Sequence, residues 1–156
     1  MKCNKSIVLA GLIACGVLAG CEGRPTLFPN SDANLRKTST EFAADAAKRF
    51  PYPGEAATKA GEISGRAEVD VMLGQLQILN SSDDDWKEID VWVNKSHVCH
   101  IPIIPKGKEK VETVAFAMMY NAQGKYFSTE NGKNPVNRVE ILRDGKLYTI
   151  PVRLAD

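Results

Sequence analysis

The 156-residue sequence predicts a mainly β protein, a seven-stranded antiparallel β-sandwich preceded by one short α-helix. Three observations predict it. From Arg66 onward apolar residues recur with a period of two, rich in β-branched and aromatic side chains and broken by turn residues, as strands with one buried face require. Asp144-Gly145 separates two such runs and is a two-residue hairpin sequence in which both central residues tolerate positive φ. Ahead of the strands, Thr38 with Glu41 three residues later has the form of a capping box, and Pro51 forbids continuation of the alanine-rich segment that follows.

The first element is a leader. Lys2 and Lys5 give a positive start, residues 7–17 carry no charge, and small residues follow at Ala19 and Gly20. A bilayer crossing needs roughly 20 apolar residues at 1.5 Å each, more than this run supplies. Leu18-Ala19-Gly20-Cys21 resembles the lipobox of bacterial lipoproteins, and the likeness covers the first 21 residues. It implies cleavage before Cys21, whose thiolate takes a diacylglycerol. Small side chains suit a protease that grips extended backbone. The alternative is an ordinary signal peptide followed by a chance cysteine.

Cleavage removes 20 residues, two of them lysines and none acidic, from a chain with 20 basic and 19 acidic residues, so the mature net charge is −1. Such a balance gives no footprint for nucleic acid or anionic headgroups. Membrane affinity comes instead from acyl chains, at about 0.8 kcal/mol per buried CH₂. Cys3 and Cys15 leave with the leader and Cys21 is acylated, so Cys99 stands alone and no disulfide framework is expected. The organisation reads as signal peptide 1–20, lipid anchor and tether 21–37, short helix and linker 38–65, and sandwich 66–156.

The tether is polar, aperiodic and carries Pro25 and Pro29. Phe42, Ala46 and Phe50 recur at helical spacing and predict an amphipathic helix over 39–49 that packs on the main domain. Residues 54–65 are rich in small side chains and read as linker. The seven strand candidates are 67–80, 87–93, 97–104, 111–120, 125–128, 136–143 and 146–154, and their number and spacing suggest a sandwich. A three-residue loop at Asn94 to Ser96 sets Ile89 opposite Ile101 and Val91 opposite Cys99, whereas a two-residue loop would set Ile89 against His100; burial selects the former. The strand at 111–120 is apolar on both faces, as a central strand would be. Trp86 is expected to close one end of the core.

The chemistry-bearing constellations are few. His97, Cys99 and His100 form the one histidine-cysteine cluster, yet on a strand His97 and Cys99 point one way and His100 the other, so they cannot converge on zinc. A cysteine nucleophile with His97 is separated from it by about 6.5 Å of strand rise. Asp83, Asp84 and Asp85 lack the spacing of a calcium loop and read as a solvated turn. Lysines between Pro105 and Lys110 are interrupted by an acid and read as another turn. No catalytic residue, metal site or cofactor is therefore assigned. The binding surface the sequence offers is aromatic: Trp92, if its face of the hairpin is open, together with Tyr126 and Phe127, which would stack on sugars or a peptide. The competing reading places one of these rings in the core.

The segments "ILNSSDDDWKEIDVWVN" and "VEILRDGKLYTIPV" resemble uncharacterised bacterial envelope lipoproteins with a small immunoglobulin-like domain, over residues 66–156. The resemblance implies a fold without an activity. Together these readings lead to the expectation of a non-enzymatic cell-envelope lipoprotein, anchored by acyl chains at a periplasmic or outer-surface face, and contacting envelope protein or polysaccharide. Two rivals stand beside it: a small hydrolase or metal-assisted enzyme using His97, Cys99 and His100, and a small-ligand carrier with a cavity between its sheets. A carrier would leave unfilled the space that Val91, Phe116, Met118 and Ile141 would otherwise occupy.

Overall fold

The structure, a computed structural model, describes residues 37–107, 110–129 and 133–155. The leader, the lipobox residues Leu18, Ala19 and Gly20, and the anchor Cys21 lie outside the described residues.

Helix α1 (Ser39–Ala47) starts where the capping box places it. Thr38 Oγ1 accepts from the Glu41 amide at 3.3 Å, and Glu41 Oε2 accepts from the Thr38 amide at 2.5 Å. The helix ends two residues earlier than its expected limit of Arg49. A strap, Phe50-Pro51-Tyr52-Pro53, follows it with a cis Phe50–Pro51 bond.

Nine strands follow among the described residues, not seven: β1 (Thr58–Glu62), β2 (Gly65–Asp70), β3 (Gln75–Asn80), β4 (Trp86–Val93), β5 (His97–Ile104), β6 (Val111–Ala115), β7 (Val139–Arg143), β8 (Lys146–Ile150) and β9 (Val152–Leu154). They form one sheet in the order β1-β8-β7-β4-β5 and another in the order β6-β3-β2-β9. Two pairings, β1 with β8 and β2 with β9, are parallel, so the sheets are not purely antiparallel.

Turn chemistry and proline account for two of the departures from the expected strands. The run 67–80 is two strands, because Asp70 Oδ1 accepts the Leu73 amide at 2.8 Å and Gly74 adopts φ +63°, which closes a turn inside an apolar stretch. The stretch expected as linker holds β1 and the first residue of β2. Pro151 divides 146–154, and the chain passes there from one sheet to the other, giving β8 and β9. Beyond Ala115 the chain turns into a single 3₁₀ turn at Phe116–Met118, and β6 is an edge strand, not a central one. In place of a strand at 125–128 there is an isolated bridge between Tyr120 and Tyr126.

The hairpin registers are as expected. Ile89 faces Ile101 and Val91 faces Cys99 across a loop of three residues. Asp144 and Gly145 take φ of +50° and +71° between β7 and β8, the backbone that a twisted two-residue hairpin demands.

The β4–β5 ladder also inverts its face midway. Glu88 adopts φ +48° in a strand, and Pro102 on the partner has no N–H to give a ladder. Inward positions are Ile89, Val91 and Val93 on one side of Glu88, and Trp86 on the other; on β5 they are Cys99 and Ile101, then Ile104. Both strands switch together, so the register is kept while Trp86 is turned into the core.

The sheets share one hydrophobic core. Ala67, Val69, Leu76 and Ile78 of one meet Ile89, Val91, Val139 and Ile141 of the other. Val91, Phe116, Met118 and Ile141 are all buried, so side chains fill the space between the layers in which a carrier's ligand would lie. A second, smaller cluster covers the outer face of the larger sheet, where Trp92, Val98 and Tyr120 pack beneath Ala46, Phe42 and Phe50. The hairpin thus packs on both sides. Burying a full aromatic or aliphatic side chain contributes roughly 1.5–3 kcal/mol, which makes the helix and strap an integral layer.

Candidate functional site

The expected aromatic surface is dispersed. Trp92 is 1% exposed, held edge-on by Phe50 at 5.1 Å and Tyr52 at 5.2 Å between ring centroids. The sequence admitted a covered hairpin face, but the identity of its cover depends on a helix and strap forty residues upstream. Phe127 is buried between Phe116, at 5.0 Å, and His97, at 5.1 Å. Tyr126 alone of the three faces solvent, at 59% exposure. Tyr120 to Tyr126 pairing sends these two neighbours to opposite sides, so Trp92 and Phe127 are corrected from surface to core.

The histidine-cysteine cluster is likewise split. Cys99 is a free, buried cysteine whose thiol burial pushes up to about 12, and its Sγ lies 3.6 Å from the His100 carbonyl oxygen. Burial lowers the pKa of His97, whose Nδ1 lies 2.9 Å from Ser96 Oγ. His100 sits on the opposite face, its Nδ1 2.8 Å from Asp90 Oδ1 and its Nε2 3.1 Å from Glu88 Oε2. Asp90 Oδ1 also accepts from Arg49 Nε at 2.6 Å. The imidazole is therefore tied into a surface network that fastens the end of α1 to β4 and β5. Among the described residues no group of three or more His, Cys, Asp or Glu side chains is arranged to hold a metal ion.

The acidic turn is a built structure. Buried Asn80 donates to the carbonyls of Asp84 at 2.8 Å and Ile104 at 3.1 Å, and its Oδ1 accepts from Ser82 N and Ser82 Oγ. Ser82 Oγ in turn accepts the Trp86 indole N–H at 2.9 Å, and Trp86 closes that end of the core as expected. Asp85 Oδ1 accepts the Lys106 amide, Lys106 Nζ donates to the Asp83 carbonyl, and Asp84 pairs with Arg143. The Arg143 hydrogen bond holds the Asp84 carboxyl below its ordinary range. An open concavity of about 470 Å³ lies over Asp83 to Asp85, Lys87, Lys106 and Arg143. Arg143 pairs with Asp84 and Asp144 there, while Asp85 and Lys106 bond to backbone groups across the turn.

Sequence reading missed a buried carboxylate. Glu140 on β7 is 2% exposed, accepts from Tyr52 Oη at 2.5 Å and from Arg138 at 2.7 Å, and lies beside Trp92 in the ladder. In "RVEIL" Glu140 alternates with the inward Val139 and Ile141 and so reads as solvent-facing; its burial comes from the strap, through Tyr52.

Comparison of the chain with protein-family models, curated proteins and solved structures gives no match. The class these features define is a mainly β, two-sheet domain covered on one face by a helix and strap.

Proposed function

We propose that the chain is a bacterial cell-envelope lipoprotein, a non-enzymatic β-sandwich module held at a membrane by acyl chains on Cys21. The observation that carries this reading is Leu18-Ala19-Gly20-Cys21 in register behind a lysine-bearing start and a short apolar run. No helix among the described residues is long and apolar enough to cross a membrane; in this reading the acyl chains on Cys21 supply the attachment. The dispersal of His97, Cys99 and His100 favours a structural role for them over a hydrolytic one. A thiol raised to about 12 is protonated at neutral pH and is no nucleophile.

An immunoglobulin-like topology is the finer fold reading. Support comes from the chain's crossing between sheets after β3, β5 and β6, from the β8-β7-β4-β5 neighbours, and from a tryptophan of β4 in the core. The partner class remains envelope protein or polysaccharide, with Tyr126 the exposed aromatic contact.

The test is mass spectrometry of protein made in a bacterial host. We expect a mature N-terminus at Cys21 carrying diacylglycerol, and loss of membrane retention in Cys21→Ser. An intact leader or an unmodified Cys21 thiol overturns the reading. Crosslinking in envelopes with wild type and Tyr126→Ala, a variant that leaves the core untouched, checks the binding part: a product lost in the variant supports it, and a product indifferent to the variant removes Tyr126.

A further inference from the structure

The β2–β3 turn carries a feature that neither core nor ladder explains. Val71, Met72 and Leu73 are consecutive, and they are 45%, 97% and 70% exposed. Leu154, 73% exposed, lies at the same end, since Val69 pairs with Leu154 and the Ala155 amide donates to the Val69 carbonyl. The turn is fixed rather than loose: Asp70 caps the Leu73 amide, Gly74 takes positive φ, and the Gly74 carbonyl accepts from Phe116 N at 2.8 Å. Runs of apolar residues held out in water mark contact sites.

We propose that Val71, Met72 and Leu73, with Leu154 beside them, form a wedge that dips into the headgroup boundary of the bilayer to which Cys21 is attached; the proposal rests on the lipoprotein reading above. Three features select a bilayer as the occupant. The tip is a convex turn of a few side chains, too small for the roughly 1,000 Å² that a stable protein interface buries, but suited to a soft interface. The chain preceding the described residues ends at Arg36, two residues before the Thr38 cap of α1, and α1 packs against the Phe116–Met118 turn that is hydrogen-bonded to Gly74. The helix that the tether enters and the tip are thus joined through one 3₁₀ turn. A tether of residues 22–37 reaches about 55 Å extended and about 20 Å as a coil, so it lets the tip meet the surface. Residues 71–74 bear no charge and no basic cluster flanks them, so insertion is apolar and indifferent to anionic lipid.

The experiment places a reporter at the tip. Met72→Trp is made in the full chain and reconstituted in phosphatidylcholine vesicles with and without brominated acyl chains. Trp86 and Trp92 are buried, so the introduced indole dominates the response. We expect at least twofold quenching of that indole by bromolipid, unchanged between low and high salt, and none for Lys87→Trp on the exposed far part of β4. No quenching at position 72, equal quenching at both positions, or a blue shift that grows with protein concentration without quenching overturns the wedge, the last in favour of a second copy. The mass of the Cys21 peptide is read on the same sample. An acylated Cys21 with an unquenched indole sinks the wedge alone, whereas an unmodified Cys21 sinks the lipoprotein reading and the wedge with it.

Discussion

Tyr52 donates its phenolic hydrogen to Glu140 across the seam between the strap and β7, at 2.5 Å and 88 positions apart in sequence. The contact does two things at once. It satisfies a carboxylate that the sheet has buried, with Arg138 supplying the second donor, and it clamps the Tyr52 ring against Trp92. Lys95 Nζ sits 5.9 Å from the centre of the same ring on its way to solvent. Strap, helix and sheet therefore form one layer.

Removing that hydroxyl tests the seam. Tyr52→Phe keeps the ring packing and strips one donor from a buried carboxylate, so we expect a loss of about 1.5–3 kcal/mol in denaturant unfolding. A pH signature accompanies it. Burial, then the Glu140 hydrogen bond, raises the Tyr52 pKa in the folded state. A raised folded pKa means that the native state holds the proton longer than the unfolded chain. The contribution is thus complete below the ordinary tyrosine value of about 10 and declines as pH climbs above it. The stability difference between wild type and Tyr52→Phe should be flat from pH 6 to 9 and shrink at higher pH.

Asp90 Oδ1 is shared by two side chains, Arg49 just after α1 and His100 of β5. Both Arg49 and Asp90 are largely covered, so their pair is less screened than an exposed one. A double-mutant cycle with Arg49→Met and Asp90→Asn should give a coupling of about 0.5–2 kcal/mol. A value near zero would mean that the helix is held by its apolar face alone.

How much of this was legible beforehand depended on whether a local rule or a distant neighbour decided it. The capping box, the Asp144-Gly145 turn and the Ile89–Ile101 register follow from contacts within a few residues or from which face must be dry. Trp92 did not, since its cover comes from Phe50 and Tyr52. The tip at residues 71–74 was hidden because its apolar side chains continue the hydrophobicity of the strands, and only Asp70 and Gly74 betray the turn. The strand expected over 146–154 ran through Pro151, where the chain in fact changes sheets, because apolar alternation continues on both sides of the proline. For the candidate site, alternation correctly set His97 and Cys99 apart from His100, while the exposure of Tyr126 but not Phe127 required the Tyr120 bridge.

Cys99 offers a probe of the core. Its burial leaves negligible thiolate at pH 8, since the thiol is raised to about 12. Alkylation mapped to the Cys99 peptide should therefore be at least a hundredfold slower in native protein than in urea-unfolded chain. Fast native labelling would contradict the packing of Cys99 against the opposite sheet.

Gly65 makes the closest test of how Trp86 is seated. A Cβ built on Gly65 would lie 2.5 Å from the Leu79 carbonyl oxygen and 2.7 Å from Cη2 of the Trp86 indole, distances that real side chains do not tolerate. The residue closes the stretch read as linker, yet it opens β2 and pairs with Asn80, the hub of the acidic turn. Gly65→Ala should cost about 1–3 kcal/mol by overpacking, although it replaces glycine in a strand. Trp86→Phe vacates the indole's far edge, so the double variant should lose less than the two single losses combined. Strict additivity would show that the Leu79 carbonyl, not the indole, forbids the methyl group.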